Sequence, residues 1–179
     1  MGADVSTPVD GDSPLLAAAA AGAWEIVDLL LEAGADPMAL SSPTSLLDFA
    51  VTADSESALG AVLEALEPGD LDGGIGTRAM AGLLGADGLD GRESRVDALI
   101  DAGVKPDVWN LLTAAEVVAT DALFERVYAA VEAGLANGDS SFDWGVVCSF
   151  DLNADDISLA YRVDDLERIV SLAVRLDKC

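Results

Sequence analysis

Five places in the sequence hold residues whose types and spacing are those of chemical sites. Gly73-Gly74-Ile75-Gly76-Thr77-Arg78-Ala79 contains a Gly-x-Gly-x-x-Ala string, the form of a dinucleotide-binding turn. Such a turn follows a buried strand and opens a helix whose N-terminus meets a pyrophosphate. The preceding Glu67-Pro68-Gly69-Asp70-Leu71-Asp72 is no strand, and its carboxylates repel phosphate. The string therefore reads as a flexible connecting loop. Asp151-Leu152-Asn153-Ala154-Asp155 has the alternating oxygen ligands that open a calcium loop. Asp156 stands where that loop needs glycine, and Arg162 where it needs the closing glutamate. Asp155 or Asp156 reads better as a cap for a helix entering Ile157 to Tyr161. Asp164-Asp165 and the pair Asp70/Asp72 read as turn carboxylates, solvated and ionised, without the apolar pocket that acid–base catalysis needs. Cys148 has no imidazole to activate it and reads as a packed, inert thiol.

The absence of histidine from all 179 residues removes the Ser-His-Asp and Cys-His nucleophile pairs and every imidazole metal ligand. Acidic side chains number 33 against 9 basic ones, a net charge of −24. That charge disfavours nucleic acids and anionic membrane surfaces as partners. No enzyme, cofactor or metal site is expected. With two cysteines, Cys148 and Cys179, there is no disulfide framework, and a reduced cytoplasmic protein is the default. Met1 to Asp12 lacks the basic cluster of a secretory signal, and residues 1–10 read as a flexible segment. The longest uncharged stretch, Ser13 to Trp24, is too short to span a membrane.

What must position any site is a set of helices. Hydrophobic residues make up 51% of the chain and aromatics only 5%, so the core is built from small and aliphatic side chains, which pack as closely spaced helices. Residues 11–37 read as one unit. Asp12, Ser13 and Pro14 start a short Ala/Leu helix, Gly22 breaks it, and a second helix ends at Glu32-Ala33-Gly34, with Gly34 at the left-handed cap position. Ile26, Val27, Leu30 and Leu31 recur at helical spacing, with Glu25, Asp28 and Glu32 between them. Shifted by 100 positions, Phe124-Glu125 falls on Trp24-Glu25, and Val131-Glu132-Ala133-Gly134 on Leu31 to Gly34. Shifted by 143, Arg168-Ile169-Val170 falls on Glu25-Ile26-Val27. Leu99 to Gly103 repeats the ending at a shift of 69, and Val62 to Ala65 repeats it at 32 without the glycine. Endings near 34, 66, 103, 134 and 176 predict five helix pairs.

Ser13-Pro14-Leu15, Ala18-Ala19, Gly22, Glu25-Ile26-Val27, Leu29-Leu30-Leu31 and Gly34-Ala35-Asp36 match, in order and spacing, the pattern of the ankyrin repeat; Leu16 replaces its usual histidine. The first unit resembles that family closely, and the later units are degenerate. The resemblance implies an all-α solenoid of about five pairs, 11–43, 44–76, 77–110, 111–144 and 152–179. These form one domain over 11–179, with an insertion at Gly85 to Glu93 and a long loop, Ala136 to Asp155, before the last pair. It also implies binding of another protein through finger loops and inner helices. Lys105 to Asn110 reads as one such loop, with Asp107 and Trp109 as contact residues. Phe142, Asp143 and Trp144 lie in a short extended pattern of the long connection and form a second candidate anchor. Trp24 and Phe124 read as packing residues.

Three accounts of the charge compete at this point. It selects a partner protein with a basic surface, leaving the chain itself monomeric. It mimics a polyanion, so that the protein covers the basic active site of a nuclease-like toxin as an immunity protein does. Or it adapts the surface to molar salt with no partner implied.

Overall fold

The computed structural model describes residues 13–38, 40–41, 44–53, 55–71, 74–86, 89–116, 120–137, 144–149 and 161–178. Within them the chain is an all-α helical repeat. It divides into two compact units, Met1–Val104 and Lys105–Cys179.

The first unit contains three helix pairs: α1 (Pro14–Ala20) with α2 (Trp24–Glu32), α3 (Leu46–Val51) with α4 (Glu56–Ala65), and α5 (Ile75–Gly85) with α6 (Arg92–Asp101). Two short strands, β1 (Leu40–Ser41) and β2 (Thr44–Ser45), pair antiparallel ahead of α3. First helices pack in the order α1, α3, α5, and second helices in the order α2, α4, α6. Leu15, Leu46, Leu47, Val62, Met80, Leu83, Val96 and Leu99 are fully buried between them, and Ala50, Ala58 and Ala79 let the helices approach closely. Gly76 marks the tightest approach. A Cβ there would lie 2.9 Å from the Leu71 carbonyl oxygen and 2.8 Å from the Val104 side chain.

The second unit contains α7 (Val108–Ala114), the longer α8 (Asp121–Ala136), the short α9 (Trp144–Cys148) and α10 (Val163–Arg175). Its core is Leu111, Leu123, Phe124, Val127, Leu166 and Ile169.

The second helices end where the repeat spacing predicts. After α2 the Gly34 N–H donates to the Leu31 carbonyl and the Ala35 N–H to Leu30, both at 2.9 Å; Gly103 and Val104 repeat this after α6. Gly34 and Gly103 sit at φ of 87° and 103°, the left-handed conformation that closes such an ending. Asp177, at φ 55°, takes the same place after α10. Three local expectations are corrected. α8 runs through Gly134 to Ala136, so that glycine is helical instead of a cap. The glycine-rich string is no loop: Gly74, at φ 97°, starts α5, and Ile75 to Ala79 are its first turns. Residues 144–148 are helical instead of extended.

Candidate interaction surfaces

Trp109 is 58% exposed. It stands in the first turn of α7, so Val108 to Asn110 is helix and the expected finger loop ends at Asp107. Asp107 caps that helix. The Asn110 N–H donates to the Asp107 carboxylate at 2.9 Å, and the Asp107 N–H to the Asn110 side-chain oxygen at 3.1 Å. Two reciprocal bonds fix the backbone from which the indole projects. Trp144, by contrast, is buried, at 7% exposure. Phe142 and Asp143 lie outside the described residues, as do residues 1–12 and the calcium-loop string Asp151 to Asp156.

Ser45 and Asp48 make the same box at the start of α3. Asp48 also receives the Arg78 guanidinium from α5, with Nη2 at 2.7 Å and Nε at 3.1 Å. Burial pushes the Asp48 carboxyl upward, but the bonds from Arg78 and Ser45 outweigh it and hold the group below its ordinary value. The other two arginines of the first unit bond to carbonyls. Arg92 donates to Leu84 and Ala86. Arg95, 4% exposed, donates to Ala50 and Val51 at the end of α3.

In the second unit three arginines bind α8 and the end of α7. The Arg162 guanidinium meets Asp121 at 3.0 Å and the Ala114 carbonyl at 2.9 Å. From α10, Arg168 holds Glu125 by two bonds, at 2.6 and 3.1 Å, and Arg175 reaches Glu132 at 2.5 Å. Arg168 also lies over Phe124 and Tyr128, at 5.0 and 4.6 Å from the ring centres. The Arg168 hydrogen bond lowers the Glu125 carboxyl. Asp165, in the first turn of α10, touches Arg162 at 2.6 Å and Arg168 at 3.7 Å. Its side chain is largely buried, and burial outweighs both arginines and keeps the carboxyl above its ordinary value. The expectation of a solvated turn at Asp164-Asp165 is thus corrected: both stand in the first turn of α10, Asp164 exposed and Asp165 largely buried. An open groove of about 350 Å³ runs beside these residues, lined by Tyr128, Arg168 and Arg175 among others, with both arginines committed to α8.

Cys148 is disulfide-bonded, which corrects the reading of an inert thiol. The sequence holds one other cysteine, Cys179, outside the described residues. A disulfide removes the reduced-thiol argument for a cytoplasmic setting. Among the described residues no helix is long and apolar enough to cross a membrane. Nor do three or more acids or thiols converge there in a metal-binding group.

The sequence expectation missed the α8–α10 pairing, although its signal was present. The shifts of 100 and 143 put Glu125 and Arg168 on one repeat position and Glu132 and Arg175 on another, with opposite charges on neighbouring helices.

Residues 10–42 match the family model described as the ankyrin repeat. Among curated proteins and among solved structures, none matches the chain. Ankyrin repeats are in general protein-interaction modules without catalytic activity.

Proposed function

We propose that the chain is a non-catalytic binding module that recognises another protein through a basic patch on that protein. The observation that carries this reading is the exposed Trp109, a large aromatic held on a capped helix start within a strongly acidic protein. An indole at 58% exposure is an anchor in search of a pocket, and a net charge of −24 favours cationic partners and speeds their capture at low salt. The same charge keeps copies of the chain apart, so the working species is a monomer. A narrower form of the reading is an inhibitor that imitates a polyanion and covers the basic active site of a nuclease-like enzyme, as an immunity protein does.

Affinity capture of partners with the intact chain, repeated with Trp109→Ala, tests the anchor. The expected outcome is at least about a tenfold loss of the captured partner with unchanged thermal stability. Capture that is indifferent to Trp109 and unaffected by 0.5 M salt sinks the proposal.

A further inference from the structure

The five second helices give the repeat position of Ile26 five occupants, and their burial differs. At the shifts of 32, 69 and 143, Ile26 corresponds to Ala58, Arg95 and Ile169, which are 2%, 4% and 0% exposed, and at the shift of 100 to Arg126, which is partly exposed. Ile26 itself is 51% exposed. Leu29 is 64% exposed, whereas its counterpart in α10, Leu172, is 3% exposed. In α10 these apolar positions are buried within a unit where the flanking residues, Arg168 and Arg175, pair with Glu125 and Glu132 of the preceding second helix. In α2 the same flanks are Glu25 and Glu32. The face is intact in sequence and lacks a cover among the described residues.

Charge identifies the cover. Glu25, Asp28 and Glu32 run along α2 beside Ile26 and Leu29, and among the described residues none is joined to a cation. The first basic residue of the chain is Arg78, so residues 1–77 contain 14 acids and no base. A second copy of this face would set carboxylate row against carboxylate row. Residues 1–12 carry Asp4, Asp10 and Asp12 and no cation, so they do not complement it either. We propose that the exposed face of α2 docks a basic amphipathic helix of a partner protein. That helix presents two cations seven residues apart, in the register in which α8 presents Glu125 and Glu132 to α10. Two helical turns separate such residues by about 10.5 Å, the spacing of Glu25 and Glu32 along α2. Apolar residues between the cations cover Ile26 and Leu29. α2 belongs to the first unit and Trp109 to the second, and the test of this face does not depend on Trp109.

The probe is a capped synthetic peptide of residues 121–136 carrying Glu125→Lys and Glu132→Lys, titrated calorimetrically into the full chain. The unchanged sequence serves as the second peptide. The lysine peptide is expected to bind at least about tenfold tighter than the glutamate one, and Leu29→Ser, at an exposed position, to weaken it about tenfold. Glu25→Lys with Glu32→Lys in the chain should reverse the preference between peptides. Four results overturn the proposal. The first is no binding of the lysine peptide, and the second is binding indifferent to Leu29→Ser, which marks bulk charge alone. The third is a chain lacking residues 1–12 that binds at least tenfold tighter, which assigns the face to that segment. The fourth is a dimer in sedimentation that Leu29→Ser dissociates, which assigns it to a second copy.

Discussion

Helices α2 and α10 occupy equivalent repeat positions and carry the same apolar residues, yet one is open and the other locked. Ile169 and Leu172 are buried, and Arg168 and Arg175 grip carboxylates of α8. Ile26 and Leu29 are exposed, and Glu25 and Glu32 have no cation beside them among the described residues. The apolar pattern makes each helix a member of the repeat; the charges at two flanking positions decide what it can pack against. The divergence of the later units is thus partly a reassignment of charge, which leaves the fold intact and changes the neighbour each helix accepts.

The largest effect that separates the two units should come from the disulfide, which the first unit lacks. Cys148→Ser removes that cross-link and should cost about 3 kcal/mol. The loss should fall on the second unit. Hydrogen exchange should speed at α9 and α10 and stay constant at α3 and α5, and added reductant should reproduce the change in the unaltered chain. Equal acceleration in both units would show that they open together and would end the contrast.

Much of this architecture was legible before any coordinates. Gly34 and Gly103 announce helix ends because a φ near 90° is open to glycine at little cost, and gapless shifts of 69, 100 and 143 expose the repetition. The box at Asp107 is legible in Asp107 and Asn110 three apart, at a place where the resemblance implies a finger loop. Gly76 carries an ambiguous signal. A glycine demanded by a carbonyl 2.9 Å from its missing Cβ looks, in sequence, like one demanded by a phosphate. The burial of Arg95 has no signal in the sequence, since an arginine reads as surface. Its burial follows only from the α3 carbonyls, more than forty residues away in sequence, that accept its protons. Of the candidate anchors, the sequence placed Trp109 and Trp144 alike in loops. Exposure separates them, and exposure is a property of what packs nearby.

A smaller effect measures the lock itself. Arg168→Met and Glu125→Gln, alone and together, form a double-mutant cycle across the α8–α10 pair. Both side chains are substantially exposed, at 40% and 59%, so solvent screens the pair and the coupling should be about 0.5 kcal/mol. Arg168→Met should cost more than Glu125→Gln because it also removes the guanidinium from the Phe124 and Tyr128 rings. Molar KCl should shrink the coupling and leave the ring contribution. A coupling that rises with salt would transfer the acidic surface to the halophilic account.

The smallest effect sets one carboxylate of each unit against the other. In the first unit, Arg78 and Ser45 hold Asp48 below its ordinary value despite burial. Its contribution is therefore present above the unfolded-state value and disappears as pH falls through the lower folded-state value. In the second unit, burial holds Asp165 above its ordinary value despite Arg162 and Arg168. Folding there favours the protonated acid, so its contribution is present at low pH and is lost as pH rises through the raised value. Acidification from neutrality should first relieve Asp165 and only later remove the support of Asp48. Urea unfolding at stepped pH, with Asp165→Asn and Asp48→Asn subtracted from the unaltered chain, isolates each group from the other acids. The Asp165 difference should change at higher pH than the Asp48 difference, and with opposite sign. If both differences slope the same way, Asp165 is held by its arginines as Asp48 is by Arg78. The two units would then treat a buried carboxylate alike, and the contrast between them would reduce to the open face of α2.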